Sequence, residues 1–319
     1  MSIVAERYSR FAEIEAAGRS AVYKRLALAI AEDERATALI AALPVLKQQP
    51  NLVLAAARFV GIPLDADRFA AELVARWPEV RSVVLERSTQ TNEAGRCAVL
   101  LPLLAALDGP LALIEVGASA GLCLVPDRYS YRYRSSDGAF ALDPVDGVSP
   151  VVLDCEARGP VPERIPEVGW RAGIDLNPLD VRDAGEVAWL ETLVWPGQED
   201  RAARLRDAAV LVAADPPVLV RGDAQEGLAA LVDAAPAGMT VVVFHSAVLA
   251  YFAAEARQSF ATLVRSLPVS WVSYEGALVL PEIAGRLQQP ARDDEFIVAV
   301  DGEPVLLADP HARYYRGIP

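Results

Sequence analysis

The run Gly117-Ala118-Ser119-Ala120-Gly121 is built for one of three uses. Its glycines can close a tight turn behind the apolar stretch 111–116 and bring backbone close to a nucleotide. Its central Ser119 has the G-x-S-x-G spacing of a nucleophile elbow. It can also be a plain buried turn. The polar residues that would cooperate with it are few. Glu115 precedes the turn, Asp175 and Asp223 each end a later apolar run, and His245 ends the run 240–245. The two histidines are His245 and His311, and Cys97, Cys123 and Cys155 form no CxxC pair, so no metal centre is expected.

A second polar group, Arg87-Ser88-Thr89-Gln90-Thr91-Asn92-Glu93, precedes an apolar helical stretch. One reading is an N-cap at Thr91 or Asn92 with an acidic first turn. The other has Gln90, Asn92 and Glu93 facing a pocket and holding substrate.

The elements that must position these residues fall into two halves. Up to residue 107, alanine and leucine recur at helical spacing, which predicts helices near 4–17, 20–31, 33–43, 50–60, 66–77 and 94–107. This half reads as an all-α N-terminal cap domain, 1–107. Asp108-Gly109-Pro110 is the hinge, and from 108 to 319 strand-like runs alternate with helical ones, the pattern of a mostly parallel α/β sheet. An insertion at about 127–168 opens with Tyr129-Ser130-Tyr131-Arg132-Tyr133-Arg134 and the turn at Asp137-Gly138, a β-hairpin pattern. Strands are expected near 111–116, 169–175, 217–223, 240–246 and 269–274, with a closing pair near 295–300 and 304–308. In open α/β sheets ligands bind beyond the carboxyl ends of the strands, so Glu115, the glycine turn, Asp175, Asp223 and His245 should converge on one crevice.

Composition narrows the partner. The chain of 319 residues is 53% hydrophobic and 23% charged, with a formal net charge of −13, and Lys24 and Lys47 are its lysines. That is globular composition and a poor match to a polyphosphate backbone, so no nucleic acid is expected. The most apolar segment, 97–125, is broken by Asp108, Gly109, Pro110 and Glu115, which argues for a soluble core and no membrane partner. With no secretory pattern at the start and unpaired cysteines, a cytoplasmic location is expected.

With acids ending the second and third strands behind a glycine turn, the α/β half resembles class I S-adenosylmethionine-dependent methyltransferases. The resemblance implies a Rossmann-like fold of that type and S-adenosylmethionine as cofactor. By it, Gly117 and Gly121 face the amino-acid part of the cofactor, Asp175 holds the ribose and Asp223 contacts the adenine. Glu115, Ser119, Leu176, Ala224 and His245 complete the implied cofactor-binding set. The combination TQTNEAGR at 89–96, IEVGASAGL at 114–122, GIDLNP at 173–178, VRGDA at 220–224 and FHSAVLAY at 244–251 is also similar to a bacterial domain-of-unknown-function family, over nearly the whole chain.

These patterns lead to an S-adenosylmethionine-dependent methyltransferase acting on a small-molecule or protein acceptor. His245 would be the base or orienting group, with Tyr251 and Asn92 lining the pocket. A non-catalytic cofactor-binding or interaction protein of the same fold is the alternative. A serine hydrolase using Ser119 is a further one, although the residues before the turn are helical and supply no oxyanion loop. A nicotinamide dehydrogenase would need glycines where Ser119 and Leu122 stand.

Overall fold

The structure is a computed structural model describing residues 2–90 and 92–318. The chain forms two compact units, residues 1–91 with 183–206, and residues 92–182 with 207–319. The partition differs from a boundary at residue 107. Segment 94–105 belongs to the second unit, and a later segment belongs to the first.

The helical unit starts with α1 (Ile3–Arg10), which continues as a π-helical turn over Phe11–Glu15. It continues through α2 (Ala21–Glu32), α3 (Glu34–Ala41), α4 (Pro50–Phe59), α5 (Ala66–Ala75) and α6 (Trp77–Glu86). Ser20, Asp33 and Asp65 cap three of these by accepting first-turn N–H groups. The sixth helix was not expected, because Trp77-Pro78 looks like a break. Proline is tolerated in a first helical turn, where its missing N–H has no partner to lose, and here it starts a helix.

The chain then enters the α/β unit. α7 (Cys97–Ala105) is apolar on every side and buried, which is why it joins a sheet. It is followed by β1 (Leu111–Val116), β2 (Ser130–Ser135), β3 (Gly138–Leu142), β4 (Val152–Arg158) and β5 (Val168–Asp175). α8 (Ala184–Leu193) and the first part of α9 (Glu199–Ala214) then return to the helical unit. There Trp189 is fully buried in the core with Tyr8, Tyr23, Leu26 and Phe69, and its indole N–H donates to the Ser88 carbonyl at 3.1 Å. The α/β unit resumes with β6 (Val218–Arg221), α10 (Ala224–Asp233), β7 (Thr240–Ser246), α11 (Ala254–Ser266), β8 (Ser270–Gly276) and the short α12 (Pro281–Ala284). It ends with β9 (Phe296–Val300), β10 (Glu303–Ala308) and β11 (Tyr314–Gly317).

The described strands make one 11-stranded sheet, ordered β3-β2-β4-β11-β10-β9-β8-β7-β1-β5-β6. β1 is parallel to β5 on one side and β7 on the other, with β6 and β8 extending the parallel run. All six residues of β1 are buried, as expected of a strand covered on both faces. The hairpin of β2 and β3 forms as expected. Its insertion is part of the main sheet, however, because β4 pairs with β11, a strand the sequence pattern did not reveal.

After the excursion through β2, β3 and β4, the parallel run has β5 and β6 on one side of β1 and β7 and β8 on the other. In open α/β sheets ligands bind beyond the carboxyl ends of the strands that flank such a reversal, here those of β1 and its two neighbours.

Candidate functional site

The turn after β1 is closed on itself. Gly117, Ser119 and Gly121 all have positive φ, at 72°, 49° and 72°. Ser119 is the costly one, since a side chain disfavours that region. Its neighbours hold it there. The N–H of Ser119 donates to Asp175 Oδ2 at 2.8 Å, and the N–H of Asn177 donates to Asp175 Oδ1 at 2.7 Å. Asn92 Oδ1 accepts from Ala120 N–H at 3.1 Å, while its amide nitrogen donates to Ser119 Oγ. The N–H groups of Gly117 and Gly121 go to the carbonyls of Ile174 and Ala118, at 2.8 and 2.7 Å. The turn therefore points no cluster of free N–H donors outward, as a phosphate cradle must.

Asn92 thus clamps the turn and caps no helix, and Thr91, the other expected cap, lies outside the described residues. Glu93 takes the capping role, its Oε1 accepting from Gly95 N–H at 3.1 Å. Among the described residues no histidine bonds to Ser119, and the residues after Gly121 form 3-10 turns over Leu122–Leu124 and Pro126–Arg128, with no α-helix behind an elbow. The nucleophile reading of Ser119 lacks its partners.

Glu115 faces the same end of β1. It is 5% exposed and makes no side-chain hydrogen bond among the described residues, and its Oε2 is fully buried without a partner. Burial pushes its carboxyl well above the usual carboxylate range. Cys123 and Asp175 push the same way, while Arg96 pulls it back. Glu115 is therefore a buried carboxyl whose burial favours the protonated form, with hydrogen-bonding capacity to spare.

Arg96, which sequence patterns did not single out, is 3% exposed. Its Nε donates to the Pro310 carbonyl at 3.1 Å and its Nη1 to the Ser246 carbonyl at 2.8 Å and hydroxyl at 3.2 Å. It ties the segment entering α7 to the ends of β7 and β10. The signal was present as one charge in the otherwise apolar stretch 94–107. His311, in the β10–β11 loop, has its Nδ1 3.8 Å from Glu93 Oε2.

His245 does not fit the role of base. It is fully buried, its Nδ1 lies 2.8 Å from Glu275 Oε1, and its Nε2 accepts the Trp271 indole N–H at 3.0 Å. An indole nitrogen can only donate, so the imidazole proton sits on Nδ1 and goes to Glu275. Both nitrogens are committed. Glu275 Oε1 also accepts from Val248 and Leu249 N–H at 2.9 and 3.0 Å, so the group fixes the turn after β7. Tyr251 lies just beyond, 65% exposed, with no hydrogen bond to these residues.

The remaining expected residues are spread out. Asp223 is exposed and caps α10 through Gln225 N–H at 2.7 Å. Ala224 is buried in the core, Leu176 is 70% exposed beside Asp175, and Gln90 belongs to the helical unit. Asn92, Glu93, Glu115, Gly117, Ser119, Gly121 and Asp175 are the expected residues that do gather. No group of histidine, cysteine and acidic side chains suited to a metal ion occurs among the described residues.

The sequence matches a family model described as an uncharacterized protein conserved in bacteria (DUF2332), over residues 5–71 and 63–313. The chain belongs to this family. No curated protein and no solved structure matches it. The family match includes Asn92, Glu93, Arg96, Glu115, Asp175 and His311, so the polar edge lies within the family's common extent. No described helix is long and apolar enough to cross a membrane.

Proposed function

We propose that the α/β unit binds S-adenosylmethionine beyond the carboxyl ends of β1 and β5 and transfers its methyl group to a small-molecule or protein acceptor. The observation that carries this reading is the buried, unpartnered carboxyl of Glu115, one strand from the half-buried carboxyl of Asp175. Each Asp175 oxygen already accepts one N–H and keeps a lone pair, enough for the two hydroxyls of a ribose. Glu115 suits the ammonium of an amino-acid group, which would draw off its proton. The closed turn, with its amides paired internally, favours a cofactor without phosphates over a dinucleotide.

The cofactor supplies an electrophilic methyl group. The chain's part is to hold it, orient the acceptor and exclude water. Glu115 and Asp175 would hold its two polar ends, and Asn92 would keep the turn in shape through Ala120 and Ser119. Cofactor binding without turnover is a second reading, favoured by the commitment of both His245 nitrogens.

Thermal denaturation with S-adenosylmethionine, S-adenosylhomocysteine and NAD in parallel tests the reading. Ligand at about 100 times its dissociation constant adds about 2.7 kcal/mol, a shift of several degrees. The expected pattern is a shift with both sulfur ligands, none with NAD, and loss of the shift in Glu115→Ala. A shift with NAD alone, or with none of the three at millimolar concentration, overturns it.

A further inference from the structure

We infer that Arg96 and Ser246 receive the carboxylate, and Glu115 the ammonium, of an α-amino-acid end, here the cofactor's own, an inference that rests on reading this edge as the S-adenosylmethionine site. In the pairing of β1 with β7, Glu115 lies beside Phe244 and Val116 beside His245. Alternate residues of a strand share a face, so Ser246, the last residue of β7, stands on the face of Phe244 and Glu115. Tyr274, its partner on β8, shares that face, and the Arg96 guanidinium sits 6.0 Å from the Tyr274 ring centre.

A guanidinium carries five N–H donors and no acceptor. Arg96 spends three, on the Pro310 carbonyl and on the carbonyl and hydroxyl of Ser246. The two on Nη2 make no hydrogen bond among the described residues. All three partners are neutral oxygens, so a cation that is 3% exposed has no carboxylate bonded to it. Ser246 is half-buried, and its oxygen accepts from Arg96, so its own O–H is left to donate and meets no acceptor among the described residues. Glu115 is the complement, a buried carboxyl whose Oε2 has no partner.

The same face of the sheet therefore holds an unmatched buried cation and an unmatched buried acid that are not bonded to each other. Leaving such groups unpaired is costly, and a ligand that brings both opposite charges on one carbon satisfies both. An α-amino acid does this. Its carboxylate can take Nη2 of Arg96 together with the Ser246 O–H, and its ammonium can take Glu115. A simple amine serves Glu115 and leaves Arg96 without an anion, and a phosphate does the reverse. The site should therefore distinguish an intact amino-acid end from a decarboxylated one.

Titration calorimetry of the full chain with S-adenosylhomocysteine and with its decarboxylated analogue, which keeps the amine, tests this. The wild type should bind the intact ligand about 10-fold or more tightly than the analogue, the range for a hydrogen bond to a charged group. Ser246→Ala should weaken the intact ligand several-fold and leave the analogue unchanged, so the ratio narrows. Arg96→Lys should narrow it too, and because Arg96 also ties down the Pro310 carbonyl, the wild-type ratio and Ser246→Ala decide the matter if that variant folds poorly. Equal affinities in the wild type, or an unchanged ratio in a folded Ser246→Ala, overturn the carboxylate assignment while the cofactor reading stands. If neither adenosyl ligand binds, the cofactor reading fails. Thermal shifts with millimolar L-methionine and with 3-methylthiopropylamine, its decarboxylated amine, then decide the amino-acid site by itself: stabilisation by L-methionine alone upholds it, and any other pattern removes it.

Discussion

Val248 fills the space that a Cβ on Gly117 would need, and its methyl carbon would collide with that atom. The two residues follow the ends of neighbouring parallel strands, so the turn after β7 rests on the backbone of the turn after β1. Glu275 holds Val248 in place through its N–H, and Ala247 beside it adopts a φ of 54°. The close approach of the two turns depends on glycine at 117.

Gly117→Ala should therefore lose stability on two counts, a left-handed φ and an overpacked contact. Overpacking alone costs about 1–3 kcal/mol. Urea unfolding should show a lower midpoint with an unchanged slope. A variant as stable as the wild type would mean that the turn after β7 yields freely.

Glu275→Ala should orphan three donors, the part-buried N–H of Val248, the buried N–H of Leu249 and the buried Nδ1–H of His245. Each orphaned donor costs about 1–3 kcal/mol when no water reaches it. Hydrogen exchange at Val248 and Leu249 should speed up more than at β1. Uniform protection across the sheet in that variant would refute the local pinning.

Glu115→Gln carries a signed pH effect. The raised folded-state pKa means that the folded protein keeps a proton which the unfolded chain releases above 4.5, so stability falls as pH rises through that value. Glutamine cannot release one. The variant should match the wild type at about pH 4 and gain over it by about pH 8, by at most the 1–3 kcal/mol of a buried unsatisfied group. Denaturant midpoints at the two pH values check this, and an advantage at the acid end alone contradicts it.

Glu295 behaves oppositely. The Arg316 guanidinium, with Arg292 adding to it, holds its carboxyl down to about 2, against burial. A depressed folded-state pKa adds stability above 4.5 that is lost as pH falls toward 2. Glu295→Gln should cost about 1.5–3 kcal/mol at neutral pH, the range for hydrogen bonds to charged groups. Its midpoint should meet that of the wild type in strong acid. A gap that persists there would assign the loss to packing.

The alternation of apolar runs and helical stretches made the parallel run through β1, β5, β6, β7 and β8 legible, because each strand announces itself locally. Asn92, Glu93, Glu115, Ser119 and Asp175 were legible too, as polar residues flanking apolar runs. What the pattern could not show depends on distant partners. β4 joins the sheet only through β11, and His245 is disqualified as a base only by Trp271 and Glu275, 26 and 30 residues away. His311 was visible as one of two histidines, but its relation to Glu93 spans most of the α/β unit. Trp189 is plain as an apolar helix residue, yet nothing near it in the chain says that it fills the core of the first unit.

The detour of residues 183–206 bears on how this chain is made. A ribosome delivers 1–91 first, but that piece lacks Trp189 and Trp195, which pack in its core, until the first five strands of the other unit have emerged. At about 5–20 residues per second that wait is on the order of ten seconds. During it an incomplete helical layer stands open, a natural moment for chaperone capture or for proteolysis during synthesis.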